Sequence, residues 1–181
     1  MMRWWIAMVY LLITTPSGAA EFRLTSPVVK EQGTVANEQV FNSFGCSGKN
    51  ISPELHWDNG PSETKSFALT VYDPDAPTGS GWWHWVVFNI PVSVHMLPAN
   101  AGKPDNVIAE GAIQSMTDFG QPGYGGPCPP SGDRPHRYIF TVYALKVDQL
   151  PLKKDASGAM VGFYLNQQAL AKASLTARYG R

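Results

Sequence analysis

Residues 67–90 read FALTVYDPDAPTGSGWWHWVVFNI. Two runs within this stretch, 67–73 and 84–90, are rich in β-branched and aromatic residues, the composition of strands. Between them stand Pro74, Pro77, Gly79 and Gly81, which break regular structure and suit a hairpin with a long loop. Side chains alternate across a strand, so Phe67, Leu69, Val71 and Asp73 share one face of the first run. The same alternation groups His84 with Val86, Phe88 and Ile90 on the second. In a hairpin the end of one strand lies beside the start of the next. Asp73 and His84 are therefore rim neighbours, each at the head of an apolar stripe.

A third strand is expected over residues 136–147, HRYIFTVYALKV, with His136, Tyr138, Phe140, Val142 and Ala144 on one face. The preceding stretch 120–135, GQPGYGGPCPPSGDRP, is too dense in Gly and Pro for helix or interior strand. If the third strand runs antiparallel to the first, Asp73, His84, His136 and Tyr138 converge on one rim. Imidazole and phenol groups can hydrogen-bond an oxyanion, and Gly125 and Gly126 would let backbone amides approach it closely. Asp73 then orients a His partner, while Val86, Phe88 and Phe140 form an apolar base.

The run Asp73-Pro74-Asp75-Ala76-Pro77, then His84 heading an apolar strand, then Gly126-Pro127 through Pro130 and Gly132 to His136-Arg137-Tyr138, resembles the phosphatidylethanolamine-binding protein family. The likeness is to its bacterial, Raf kinase inhibitor-like branch of YbhB/YbcL type, and most of all to the exported YbcL-like members. It covers the chain from about Glu21 onwards, with three motifs in register. The resemblance implies a mainly β fold: a β-sandwich with Greek-key character, a small anion-binding pocket and a short C-terminal helical segment. By the same resemblance the ligand-binding residues are Asp73, Asp75, Pro77, His84, Gly126, Pro127, Pro130, His136 and Tyr138, with Tyr179 near the pocket mouth. It implies a small phosphorylated or other anionic ligand, and no cofactor, metal or catalytic residue. Gln167-Gln168 departs from the Gly-His common in other branches.

The chain opens Met1-Met2-Arg3, continues with ten apolar residues at 4–13 and reaches Ala20 through small residues. This is the pattern of a secretory signal peptide over residues 1–20, cut after Ala20. Ten residues fall short of the about 20 needed to cross the hydrocarbon core, so no integral membrane span is expected after processing. The remainder, 21–181, has the size of one domain, periplasmic or secreted. Lys plus Arg and Asp plus Glu both total 14, which leaves no global field to recruit nucleic acid. Cys46 and Cys128 are the only cysteines, and an oxidising compartment favours a disulfide between them over two unpaired, partly buried thiols.

Further strands are expected over 21–25, 35–41, 55–57 and 107–113. A helix begins near Asp155, capped by Asp155 or Ser157, with Met160, Phe163, Tyr164, Leu170 and Ala171 as its apolar face. Residues 175–179 return to an extended conformation. Asp118-Phe119-Gly120 matches a kinase motif by letters alone, without its companion motifs, and reads as chance. His56 and His95 stand apart as surface or hydrogen-bonded groups. The peptide bond between Asp73 and Pro74 is expected to be cis, as a tight site-forming turn can select.

Three classes of function fit these residues. The first is a non-enzymatic binding or regulatory protein holding a phosphoryl-type anion. The second is a metal-dependent hydrolase with Asp73, Asp75, His84 and His136 as ligands. The third is an inhibitor or modulator of exported or host proteins. The first is preferred, because Ser80 and Ser131 lie in Gly/Pro loops without a nucleophile elbow and no short-spaced ligand pair is present.

Overall fold

The computed structural model describes residues 21–181. The signal-peptide reading falls on residues 1–20 and lies outside the described residues.

The alternating runs of the opening stretch become β3 (Ser66–Asp73) and β4 (Trp82–Pro91), an antiparallel pair. The third run becomes β7 (His136–Leu145), which pairs with β3 on the side away from β4. β8 (Ala169–Tyr179) extends the sheet beyond β7, and β6 (Ile113–Gln114) closes its other edge against β4. The order is β6-β4-β3-β7-β8, and the hairpin followed by a return to its far side gives the Greek-key character. A smaller antiparallel sheet, β1-β2-β5, is built from Arg23–Thr25, Leu55–Asp58 and Met96–Leu97.

The main core lies between these sheets. Phe67, Leu69 and Val71 of β3 meet Phe140, Val142 and Ala144 of β7, as alternation requires, and Leu24, Leu55, Trp57 and Leu97 cover them from the small sheet. The opposite face of the large sheet is covered in part by α1 (Gly158–Gln168), whose Val161 and Leu165 pack on Ala68, Val86, Phe88 and Leu145.

β4 departs from simple alternation. Between the pairs Leu69↔Val87 and Phe67↔Ile90, and again between Val71↔Trp85 and Tyr72↔Trp83, β4 carries one residue more than β3. Each extra residue is a bulge that flips the phase of the side chains. Trp85 and Val87 therefore face the main core, while Val86 and Phe88 face α1. The expected base of Val86 and Phe88 beneath the pocket is corrected accordingly. The second bulge turns His84 back to the side of Trp85, where Asp73 and Tyr138 also lie.

Other expectations are also corrected. Residues 35–41 form no strand: the Phe41 amide donates to Pro127 O, whereas the carbonyls of Phe41 and Val40 accept from Gly48 and Asn50. Their backbone partners sit in separate loops, so no ladder forms. Of residues 107–113 only Ile113 is in a strand. β7 ends at Leu145 rather than continuing to Val147. Ser157 caps α1, its hydroxyl accepting from the Met160 amide, but Met160 and Phe163 are exposed and the buried face is Gly158, Val161 and Leu165. β8 follows the helix directly and begins six residues before the expected return at 175. No peptide bond is cis among the described residues, so the bond between Asp73 and Pro74 is trans. The turn is closed by the Asp73 carboxylate, whose Oδ1 accepts the amides of Asp75 and Ala76, and a trans Pro74 fits that side-chain turn.

Candidate functional site

Asp73 ends β3, His84 sits at the bulge of β4, and His136 and Tyr138 begin β7. The four converge, and they line one cavity of ≈ 230 Å³. They are 3%, 4%, 2% and 1% exposed respectively, so every polar atom there has been taken from bulk water and needs a partner.

The partners fix the chemistry. The Nδ1 of His136 donates to Asp73 Oδ2 at 2.7 Å, and Oδ1 of the same carboxylate accepts the Asp75 and Ala76 amides at 2.8 and 3.1 Å. Both oxygens of Asp73 are thereby engaged, and Asp73 sets the His136 ring. The Nε2 of His136 lies 3.5 Å from Asp133 Oδ2. The Nδ1 of His84 donates to the carbonyl of Gly125 at 2.6 Å. Because a carbonyl only accepts, this bond places the proton on Nδ1 and leaves a lone pair on Nε2. Burial pushes His84 down to about 4, so its ring is neutral at physiological pH. The Tyr138 hydroxyl is buried without a hydrogen-bond partner among the described residues, and burial, reinforced by the charge of Asp73, raises it far above an ordinary phenol.

Aromatic side chains form a collar around this polar group. Phe119 is at its centre, with ring centroids 5.3 Å from His84, 5.5 Å from Trp82, 4.6 Å from Phe41 and 6.0 Å from Phe44. Asp118 pins Phe119 in place, since its Oδ2 accepts the Trp83 amide at 2.7 Å and its own amide donates to Trp83 O. Phe44 is 63% exposed and stands at the cavity wall. The disulfide Cys46–Cys128 ties its loop to the Pro129-Pro130 segment opposite, and Cys128 itself lines the cavity. The expected pairing of the two cysteines is thus present.

Of the residues expected at the site, Asp73, Pro77, His84, Pro130, His136 and Tyr138 line the cavity. Asp75, Gly126 and Pro127 do not. Asp75 instead accepts two bonds from the Arg137 side chain, at 2.8 and 2.9 Å, which hold its carboxyl well below the usual carboxylate range. The Gly126 amide donates to Asn50 Oδ1, and a Cβ there would stand 2.0 Å from Gln39 O, so glycine is required for close packing of two loops. The Gly125 amide donates to His84 O. Both amides are spent, and the expected backbone nest for an anion is not formed. Tyr179 pairs with His136 across β7 and β8 but does not line the cavity. The four side chains weighed as metal ligands do not converge, because Asp75 faces Arg137. Among the described residues no group of three or more His, Cys, Asp or Glu side chains is arranged to hold a metal ion.

Phe44, Trp82 and Phe119 were not anticipated. Trp82 had a signal, since it stands two residues before His84 and shares its side by alternation. Phe119 sits inside the motif read as chance, and its ring packs at the centre of the collar.

The family profile described as "Phosphatidylethanolamine-binding protein" matches residues 25–180. The chain is 49% identical to the UPF0098 protein YbcL of Escherichia coli over 175 residues, 96% of each chain. It is 48% identical to YbhB of the same organism over 157 residues, 87% of this chain and 99% of that one. The crystal structure of Escherichia coli YbcL, described as a member of the mammalian PEBP family, superposes with a TM-score of 0.87 at 51% identity, covering 90% of this chain and 99% of that one.

Proposed function

Because the chain belongs to the phosphatidylethanolamine-binding protein family, we propose that it binds a small phosphoryl-type oxyanion in the cavity between His84, His136 and Tyr138, and that it holds this ligand rather than transforming it. The observation that carries the reading is the Tyr138 hydroxyl, a buried donor with no partner among the described residues, beside two imidazoles whose Nδ1 atoms are already committed. A buried hydroxyl left unsatisfied costs on the order of 1–3 kcal/mol, which a ligand oxygen would recover on binding. No serine or cysteine nucleophile lines the cavity among the described residues, since Cys128 is in a disulfide.

Export to the periplasm or beyond is part of the same proposal. The Cys46–Cys128 disulfide supports it, because such bonds persist in oxidising compartments. Among the described residues no helix is long and apolar enough to cross a membrane. A copy outside the cytosol meets no cytosolic kinase, so any protein partner belongs to the exported space.

Calorimetric titration of phosphoethanolamine into the wild type, His136→Ala and His95→Ala tests the reading. His95 is exposed and lies outside the cavity. Loss of the His136 bond is expected to weaken binding by roughly 10- to 150-fold, on the order of 1.5–3 kcal/mol, with His95→Ala unchanged. Equal affinity in the two variants would overturn the assignment.

A further inference from the structure

The cavity has an inventory of donors and acceptors that is unusual for an anion site. Among the described residues, no Lys or Arg lines it. The amides of Gly125 and Gly126 are spent on His84 O and Asn50 Oδ1, and the Thr78 hydroxyl is spent on Gly81 O. The side-chain donors of the lining are therefore Tyr138 O–H, the indole N–H of Trp82 and, when it carries a proton, Nε2 of His136. His84 lines the same cavity and supplies an acceptor, since the bond from Nδ1 to Gly125 O leaves the lone pair on Nε2. The charged and titratable groups around His84 come from three directions. They are Asp73 on β3, His136 and Tyr138 on β7, and Asp118 on the segment after β6. Asp133 lies beside His136 as well. The fixed charges in that set are carboxylates.

A phosphate dianion entering this site would meet the His84 lone pair and nearby carboxylates, with protonated His136 the one cation among the described lining residues. A singly protonated monoester gives the His84 lone pair a donor as well as giving the lining donors charged oxygens. Its P–OH donates, and its two charged oxygens accept. Resting on the oxyanion reading above, we propose that the pocket selects a phosphate monoester as its monoanion, reading the ligand's remaining proton through a hydrogen bond from P–OH to Nε2 of His84. His84 is then a specificity-determining residue, and Tyr138 and His136 hold the charged oxygens. The burial that keeps His84 neutral keeps this acceptor in place well below physiological pH.

The test must separate a proton on the ligand from a proton on His136, because either makes affinity fall as pH rises. Three probes do so: phenyl phosphate, phenylphosphonate, whose second ionisation lies higher, and methyl phenyl phosphate, a permanent monoanion without P–OH. Binding of each is measured by calorimetry from pH 5 to pH 8. Affinity for phenyl phosphate is expected to fall by about tenfold per pH unit above its second pKa of about 6. The midpoint for phenylphosphonate moves up by the difference between the two ligands' second pKa values. The diester binds at least about tenfold more weakly than phenyl phosphate at pH 5, a loss set by one unmade hydrogen bond.

Coincident midpoints for phenyl phosphate and phenylphosphonate would place the titrating proton on the protein and overturn the proposal, leaving oxyanion binding intact. A diester bound as tightly as phenyl phosphate would do the same. Absence of binding by all three at every pH would overturn the oxyanion reading together with this one. In His84→Gln a carboxamide N–H₂ can turn towards the ligand, so the folded variant is expected to lose most of the fall with pH. Ligand-dependent midpoints that persist in that variant would contradict the role of His84. If the variant does not fold, the wild-type comparison still decides.

Discussion

Burial holds His84 neutral, and its cost and its use are the same fact. The folded ring is pushed down to about 4, while an unfolded His titrates near about 6.5. Between those values the unfolded chain binds the extra proton, so acid favours unfolding. The stability that neutral His84 contributes is complete above about pH 6.5 and is lost as pH falls towards 4, with a slope of up to about 1.4 kcal/mol per pH unit. Asp75 acts in another window. Its depressed carboxyl contributes fully above about pH 4 and weakens only below that, because its ordinary value is near about 3.9. Urea unfolding of the wild type and His84→Gln between pH 4.5 and 7.5 isolates the histidine. The difference between the two is expected to change by on the order of 2 kcal/mol across that range; parallel curves would show that His84 is not buried neutral.

Two glycines in α1 show why element-level reading succeeds in some places and fails in others. A Cβ on Gly158 would stand 2.4 Å from Trp83 Cγ, whereas one on Gly162 would meet only the far edge of that ring at 3.5 Å. Gly162→Ala is expected to stabilise by about 0.5–1 kcal/mol through helix propensity, and Gly158→Ala to destabilise by about 1–3 kcal/mol through overpacking. Thermal unfolding of the two variants gives the signs, and the same sign for both would contradict the packing described. The apolar residues of this helix were a poor guide to its buried face, because Gly158 buries by close approach while Phe163 stays exposed. In β3 and β7 the two-residue period did mark the core face, since neither strand is bulged against the other along residues 66–72. The phase of β4 was not legible, because its bulges depend on pairing with β3; positive φ at Asn89 is a faint local trace of one. Residues 169–174 are helix formers by composition, yet pairing with β7 draws them into β8.

Across the whole molecule, the polar quartet of the cavity was legible because each member stands at the end of a strand. The aromatic collar was not, for Phe44 and Phe119 ride on loops whose paths are fixed by distant partners: the disulfide in one case, the Asp118 contact with Trp83 in the other. The disulfide spans a sequence separation of 82, and closing a loop of that length contributes about 4–5 kcal/mol in the chain-entropy account. A Cys46→Ser, Cys128→Ser double variant should lose stability of this order in urea, and an unchanged midpoint would show the bond to be thermodynamically idle. The fold gathers His84, His136 and Tyr138 around one cavity, and the two imidazoles report on a ligand there. In protein with ¹⁵N-labelled histidines, phosphoethanolamine should shift the Nε2 resonances of His84 and His136 saturably while His56 and His95 stay fixed; stationary His84 and His136 signals at saturating ligand would contradict the account.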